Sequence, residues 1–143
     1  MLTWLKARSR PDYTDRARAL FERFAMRHEL TFTDTQSGQV ELLYKFPVQP
    51  GLTHPLSLAL QNEDELNLGV EKFWSYFFPY EEVEAEFEHI LEEWIAGRAR
   101  IVRYGKSRAR DLELLKDGRW EAVYRANGLL LRRRNPIIVA QNA

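Results

Sequence analysis

Cysteine is absent from this 143-residue chain, and so is any long apolar run. Without cysteine there are no disulfides, zinc–thiolate sites or cysteine nucleophiles. No apolar run approaches the roughly 20 residues of a membrane span, and the apolar start of the chain is too short for a signal peptide. The 7 glycines are scattered, so no phosphate-binding loop is predicted. We therefore expect a cytoplasmic protein without a membrane segment.

Catalytic and metal-binding motifs are also lacking. No serine lies in a Gly-x-Ser-x-Gly motif, and His28, His54 and His89 are far apart in the sequence. His89 has Glu86 and Glu93 one helical turn away, a spacing that a metal site can use. That helix face is rich in glutamate and is predicted to be solvated. The sequence therefore predicts no catalytic residue, no metal ligand and no cofactor.

Charge is balanced overall but unevenly distributed, with 21 basic and 21 acidic side chains. Residues 1–27 carry seven basic and three acidic side chains, and residues 98–143 carry twelve basic and four acidic ones. Residues 28–97 carry 14 acidic and two basic side chains. Either the basic ends pack beside the acidic middle, or the surface is strongly dipolar and steers charged partners. The sequence leaves both arrangements open.

The central third of the chain predicts a hairpin followed by an aromatic corner. Leucine alternates with small or polar residues in 56–61, and the alternation returns in 66–70 after a polar turn. Five aromatic residues then occur within 73–78, and Pro79 ends the run. We interpret this run as a core corner where the hairpin passes into a helix. The alternative interpretation is a binding surface or a pocket wall.

Residues 80–96 change to a helical period, with apolar side chains at steps of three and four. Pro79 suits the first helical position, and Gly97 suits the position just after the helix. The glutamates of the opposite face are Glu84, Glu86, Glu88, Glu92 and Glu93. We expect this acidic face to be exposed.

The flanking regions predict one more helix and further strands. A helix capped by Asp12 or Thr14 is predicted to run to about His28. Strands are predicted around Leu30–Phe32, at Gln39–Val48, and as a four-strand meander at 98–104, 112–115, 120–124 and 129–131. Residues 137–139 are predicted to add a short edge strand or a docked tail.

Together these elements predict an α+β fold. It has two helices and about 7–8 strands in one or more curled, mainly antiparallel sheets, in the order α-β-β-β-β-α-β-β-β-β. Residues 1–143 are expected to form a single domain. Residues 1–11 are expected either to anchor the chain or to form a flexible segment, and 135–143 are expected to form a C-terminal tail.

The missing chemistry and the uneven charge favour a non-catalytic protein-interaction module. It would resemble immunity, inhibitor or adaptor proteins by analogy alone. The expected partner is another protein with a basic surface, and a homodimer is a further expectation. The predicted contact residues are Glu84, Glu88 and Glu92 on the acidic helix face and Trp74 and Tyr76 at the aromatic corner.

Two alternatives stay open. One is a small-molecule or hydrolytic site in a pocket near Trp74, Tyr76 and His54. The other is a single-strand nucleic-acid surface on the basic C-terminal meander, where Arg132, Arg133 and Arg134 would contact phosphates. The net charge of zero argues against nucleic acid, and no membrane partner is predicted.

Overall fold

A computed structural model describes residues 12–35, 38, 40–126 and 136–143. The predictions for residues 1–11 and for a strand at 129–131 fall outside these ranges. None of the helices within them is long and apolar enough to cross a membrane.

The first part of the chain forms a helix, a five-stranded sheet and a second helix. In chain order these are α1 (Thr14–Arg27), β1 (Thr33–Asp34), β2 (Leu42–Phe46), β3 (Leu56–Gln61), β4 (Glu65–Val70), β5 (Phe73–Trp74) and α2 (Tyr80–Ile95). The five strands lie in sequential order and every pair is antiparallel. The predicted hairpin is therefore confirmed as β3 and β4, with Leu58 opposite Leu68.

The last part of the chain forms a separate four-stranded antiparallel sheet. Its strands are β6 (Ala99–Tyr104), β7 (Arg110–Lys116), β8 (Arg119–Ala126) and β9 (Pro136–Gln141). Their order in the sheet is β8-β7-β6-β9, so β9 crosses back to pair with β6. The α+β class with antiparallel sheets is confirmed. The described residues contain nine strands, which differ from the prediction in three places. β1 begins at Thr33, just after the predicted Leu30–Phe32, and β5 adds a strand within the aromatic corner. β9 pairs with β6 and does not extend a meander beyond β8.

One apolar core lies between the two helices and both sheets. Alternate residues of β2, β3 and β4 face inward because strand side chains alternate between the two faces of a sheet. Helix α1 packs on β2 and β3, and α2 packs on β4 and β6. The largest fully buried side chains include Phe21, Phe24, Tyr44, Phe87 and Trp94. Both helices therefore bury their apolar stripes on the same side of the molecule.

The helix ends lie close to the predicted positions, but the residues at the two N-termini differ from the prediction. Gly97 has φ +76°, the left-handed conformation that glycine adopts at low cost just after a helix. Pro79 was predicted to be the first helical residue of α2 but is its N-cap. The N-cap of α1 is Tyr13 and not the predicted Asp12 or Thr14, and no side chain caps this helix. Asp12 Oδ1 nevertheless accepts a hydrogen bond of 2.9 Å from the Thr14 N–H.

The C-terminal segment is a docked strand whose end is held by Asn142. This side chain is 4% exposed. Its Nδ2 donates to the carbonyl oxygens of Gly51 at 2.9 Å and Ile95 at 3.0 Å, and its Oδ1 accepts from the Thr53 N–H at 2.9 Å. One amide thus joins β9, a loop and the end of α2. Of the two predicted forms of this segment, the edge strand is the one observed.

We predict that Asn142→Ala destabilises the protein by about 2 kcal/mol or more. The substitution removes the hydrogen bonds of a buried amide to Gly51, Ile95 and Thr53, and each such bond contributes roughly 0.5–1.5 kcal/mol. Urea unfolding measures the change. Gln141→Ala is the matched control, because it removes one hydrogen bond to the Gly97 carbonyl oxygen. Equal losses for the two variants would contradict the role of Asn142.

Candidate functional site

The acidic face of α2 lies beside the basic face of α1. The facing pairs are Arg16–Glu84 at 2.5 Å, Arg23–Glu88 at 3.0 Å and Arg27–Glu92 at 2.8 Å. Arg23 holds its partner through two nitrogens, Nε and Nη2. The partners advance in the same order along both helices, so α1 and α2 run in the same direction. We call these three pairs the interhelix ion pairs.

The interhelix ion pairs engage all three glutamates that the sequence predicted as partner-binding residues. The side chains of Glu84, Glu88 and Glu92 are 25–31% exposed. Of the two charge arrangements left open by the sequence, packing of a basic end beside the acidic middle is the one that α1 adopts. A partner that bound these carboxylates would compete with arginines of the same chain. Their role in binding stays a prediction.

The aromatic corner presents three side chains on its outer side. The chain remains extended past β5, because the backbones of Phe77 and Leu66 exchange hydrogen bonds of 2.8 and 2.9 Å. Side chains therefore alternate: Phe73 and Phe77 are buried, whereas Tyr76 is 45% and Phe78 is 59% exposed. We call Trp74, Tyr76 and Phe78 the aromatic stripe. Phe78 is the member that the sequence-based prediction missed, although its two-residue spacing from Tyr76 was a readable signal.

Buried polar groups hold the segment that carries the aromatic stripe. The Asn67 Nδ2 donates to the Ser75 carbonyl oxygen at 2.8 Å, and the Ser75 Oγ accepts from the Leu68 N–H at 2.8 Å. Asn67 and Ser75 are both fully buried. From the second sheet, the Tyr124 hydroxyl accepts from the Tyr76 N–H at 2.8 Å. Burial raises the pKa of Tyr124, so this phenol stays protonated at neutral pH.

A pocket of about 390 Å³ lies at the Trp74 end of the aromatic stripe. Its lining residues are Pro55, Ser57, Gly69, Glu71, Lys72, Phe73 and Trp74. The indole lies directly over Gly69, where the absence of a side chain leaves space for it. His54 precedes this lining, with its Nδ1 3.3 Å from Glu71 Oε1. Of the three residues named for the pocket alternative, Trp74 lines this pocket, His54 contacts the lining residue Glu71, and Tyr76 is not part of the lining. Ligand binding at this pocket stays a prediction.

Carboxylates flank the aromatic stripe at both ends. Glu71 lies at the pocket and is 45% exposed. At the other end, Glu65 directly precedes Leu66, the residue that pairs with Phe77. Glu82 lies on the exposed side of the first turn of α2, close in sequence to Phe78. The apolar surface is therefore bordered by negative charge, with Lys72 as a cation at the pocket.

The second sheet places several of its arginines against carboxylates. Arg100 Nε lies 2.8 Å from Glu113 Oε1, and its guanidinium stacks 4.1 Å from the centre of the Trp120 ring. Arg125 binds Asp111 through two nitrogens at 2.5 Å each. Both carboxylates are almost fully buried. These arginines are partnered, which leaves fewer cations for phosphate contacts than the sequence suggested.

The nucleic-acid alternative rested on Arg132, Arg133 and Arg134. All three lie outside the described residues, and their contribution stays a prediction. The three histidines do not converge: His28 lies 2.9 Å from Glu92, and His54 lies beside Glu71. Glu93, one of the candidate metal ligands, instead binds Arg98 at 2.7 Å, and this hydrogen bond lowers the pKa of Glu93. In the described ranges, no three His, Asp or Glu side chains are grouped to hold a metal ion.

Comparison with known proteins identifies no relative of this chain. No protein family, no curated protein and no solved structure matches it at a significant level. The geometry of the site is therefore the basis for a functional proposal.

We predict a coupling free energy of about 0.5 kcal/mol between Arg23 and Glu88, because exposed ion pairs contribute roughly 0–1 kcal/mol. The variants Arg23→Gln, Glu88→Gln and the double variant form a double-mutant cycle measured by urea unfolding. The coupling should shrink at about 0.5 M salt, where charges are screened within a few ångströms. No coupling at low salt would show that the pair does not stabilise the fold.

We predict that Gly69→Ala moves the Trp74 ring. An added Cβ would lie 2.8 Å from Trp74 Cε3 and 3.3 Å from Ser57 Cβ, so the ring has to shift. Overpacking of this kind costs roughly 1–3 kcal/mol. The NMR signal of the Trp74 indole N–H, assigned with Trp74→Phe, reports the movement. Gly38→Ala is the control, because nothing lies within 4 Å of its added methyl group. An unmoved indole signal in Gly69→Ala would contradict the packing.

Proposed function

We propose that this protein is a non-catalytic protein-binding module, of the kind found in immunity, inhibitor or adaptor proteins, that binds a partner through the aromatic stripe. The observation that carries the proposal is the exposure of Tyr76 and Phe78 beside Trp74 on a segment held by buried hydrogen bonds. Exposed large apolar side chains are unfavourable in water, and binding of a partner would bury them.

Aromatic residues are effective anchors for a protein partner. Trp and Tyr are enriched among the residues that dominate interface energies, and truncating one such residue commonly costs about 2 kcal/mol or more. The backbone of the aromatic stripe is fixed by Asn67, Ser75 and Tyr124. Binding therefore requires little ordering of this segment, which favours affinity.

The charges around the aromatic stripe define the chemistry of the partner. Glu71 at one end, and Glu65 and Glu82 at the other, favour a partner with Lys or Arg beside its apolar contact residues. Charge complementarity of this kind mainly accelerates association and selects the partner. We infer a segment that carries large apolar side chains flanked by basic ones.

The acidic face of α2 supports this proposal less well. Each of Glu84, Glu88 and Glu92 already has an arginine partner in the chain. A basic partner at this face would gain a new ion pair only by breaking one that exists. The net gain would be small, because exposed ion pairs are worth only about 0–1 kcal/mol. We therefore assign the contact to the aromatic stripe.

Small-molecule binding is the second candidate function, and the pocket beside Trp74 favours it. Its volume of about 390 Å³ falls in the range of ligand sites. Trp74 offers a ring for stacking, and Glu71 and Lys72 offer one charge of each sign. Tyr76 and Phe78 do not line this pocket. Substituting these two residues should therefore weaken protein binding and leave small-molecule binding intact.

We predict that the immobilised protein selects peptides with large apolar residues flanked by Lys or Arg from a random library of peptides about 12 residues long. The double variant Tyr76→Ser/Phe78→Ser should bind the selected peptides at least about tenfold more weakly, since each tenfold corresponds to about 1.4 kcal/mol. Fluorescence polarisation of the synthesised peptides measures Kd.

The control for this experiment is Met26→Ser, which removes an apolar side chain that is 80% exposed on α1, away from the aromatic stripe. It should leave Kd unchanged. Circular dichroism and thermal unfolding verify that each variant is folded. The proposal fails if the double variant binds the selected peptides as tightly as the unmodified protein, or if the library yields no binding peptide.

A further inference from the structure

Two arginines lie side by side on the core-facing side of the four-stranded sheet. Val102 of β6 and Asp111 of β7 form the last pair of this ladder, and Arg103 and Arg110 occupy the next position on each strand. Side chains at such opposite positions have Cβ atoms about 4.5–5.5 Å apart, and like charges there repel. Arg103 and Arg110 are therefore neighbouring cations at the end of the β6–β7 pairing.

These two arginines differ from the partnered arginines of the same sheet. The Nε atoms of Arg103 and Arg110 are buried and have no hydrogen-bond partner. Among the described residues, no carboxylate forms an ion pair with either guanidinium, whereas Arg100 has Glu113 and Arg125 has Asp111. A buried donor without a partner is unfavourable, and more so when it carries charge. The arrangement is one that an anion would stabilise.

The neighbouring groups hold one guanidinium in place and leave the pair accessible. Arg110 Nη1 donates to the carbonyl oxygens of Ser107, Arg108 and Ala109 at 3.1–3.3 Å. Both Arg103 and Arg110 are partly exposed.

The strand register extends the arginine pair into a row across the whole sheet. Arg103 pairs with Ile137 of β9, and Arg110 pairs with Ala126 of β8. Ile137 is 44% exposed, so an apolar side chain borders the cations on one side. This row offers charge for an anionic group and apolar contact for the part of a ligand attached to it.

We propose that Arg103 and Arg110 form a binding site for an oxyanion, namely a phosphate or carboxylate group. The planar guanidinium donates through two parallel N–H groups and matches both kinds of oxyanion. An anion bound beside the two side chains would offset their repulsion and accept hydrogen bonds from their guanidinium N–H groups. This site is separate from the aromatic stripe and does not depend on the proposed protein partner.

The experiment uses inorganic phosphate and acetate as probes, each compared with chloride at equal ionic strength. Thermal unfolding measures stabilisation, and the NMR signals of the arginine Nε–H groups measure binding directly. We expect saturable shifts of the Arg103 and Arg110 signals, and a Kd at least about fivefold weaker in Arg103→Gln and in Arg110→Gln. Arg119→Gln, which alters an exposed arginine of the same sheet, should bind like the unmodified protein.

The two probes distinguish the sources of the anion. Saturable binding of phosphate alone indicates a phosphoryl ligand, and equal binding of acetate indicates a carboxylate; both support the site. The proposal is overturned if neither probe gives a saturable shift, or if Arg103→Gln and Arg110→Gln bind as tightly as the unmodified protein. It is also overturned if Arg119→Gln weakens binding equally, because that result indicates nonspecific attraction. Far-ultraviolet circular dichroism verifies that each variant is folded.

Discussion

The shared apolar core is the constraint on which the other features of this protein depend. Both helices bury their apolar stripes on the same side of the sheets, α1 on β2 and β3 and α2 on β4 and β6. They therefore lie next to each other and run in the same direction, and the polar flank of one faces the polar flank of the other. Two flanks of the same charge would repel in this position. The arginines of α1 and the glutamates of α2 make the arrangement favourable.

The periodicity of apolar residues along the sequence predicted the elements that depend on neighbouring residues alone. The alternation of leucines gave the β3–β4 hairpin, and the helical spacing with Pro79 and Gly97 gave α2 to within a residue at its end. The interhelix ion pairs could not be predicted, because they join residues more than 60 positions apart and require knowledge of which helix flanks meet. The pairing of β9 with β6 likewise depends on a crossover, and nothing in the sequence indicates the three hydrogen bonds that the Asn142 side chain makes to Gly51, Thr53 and Ile95.

The same distinction applies to the candidate sites. The aromatic run was visible in the sequence, and Trp74 and Tyr76 were selected from it. Phe78 lies two residues after Tyr76, and this spacing places both side chains on the same face only if the segment is extended. The pairing of Phe77 with Leu66 shows that the segment continues along β4. Arg103 and Arg110 are seven positions apart, and this spacing becomes informative only once the β6–β7 pairing, which ends at Val102–Asp111, is known. The pairing of strands that are distant in the sequence therefore determines which residues of a sequence pattern lie close enough to form one site.

The features assigned to binding are those that the fold does not need. The interhelix ion pairs and the buried pairs of Asp111 and Glu113 satisfy charges that the architecture brings together. By contrast, exposed Tyr76 and Phe78 contribute little to the core, and Arg103 beside Arg110 opposes folding through repulsion and unpartnered donors. Uncharged or smaller polar residues at these positions would serve the isolated fold better. Arg100 and Arg125 of the same sheet have carboxylate partners, whereas Arg103 and Arg110 have none among the described residues, and an anion from outside the chain would supply the missing acceptor.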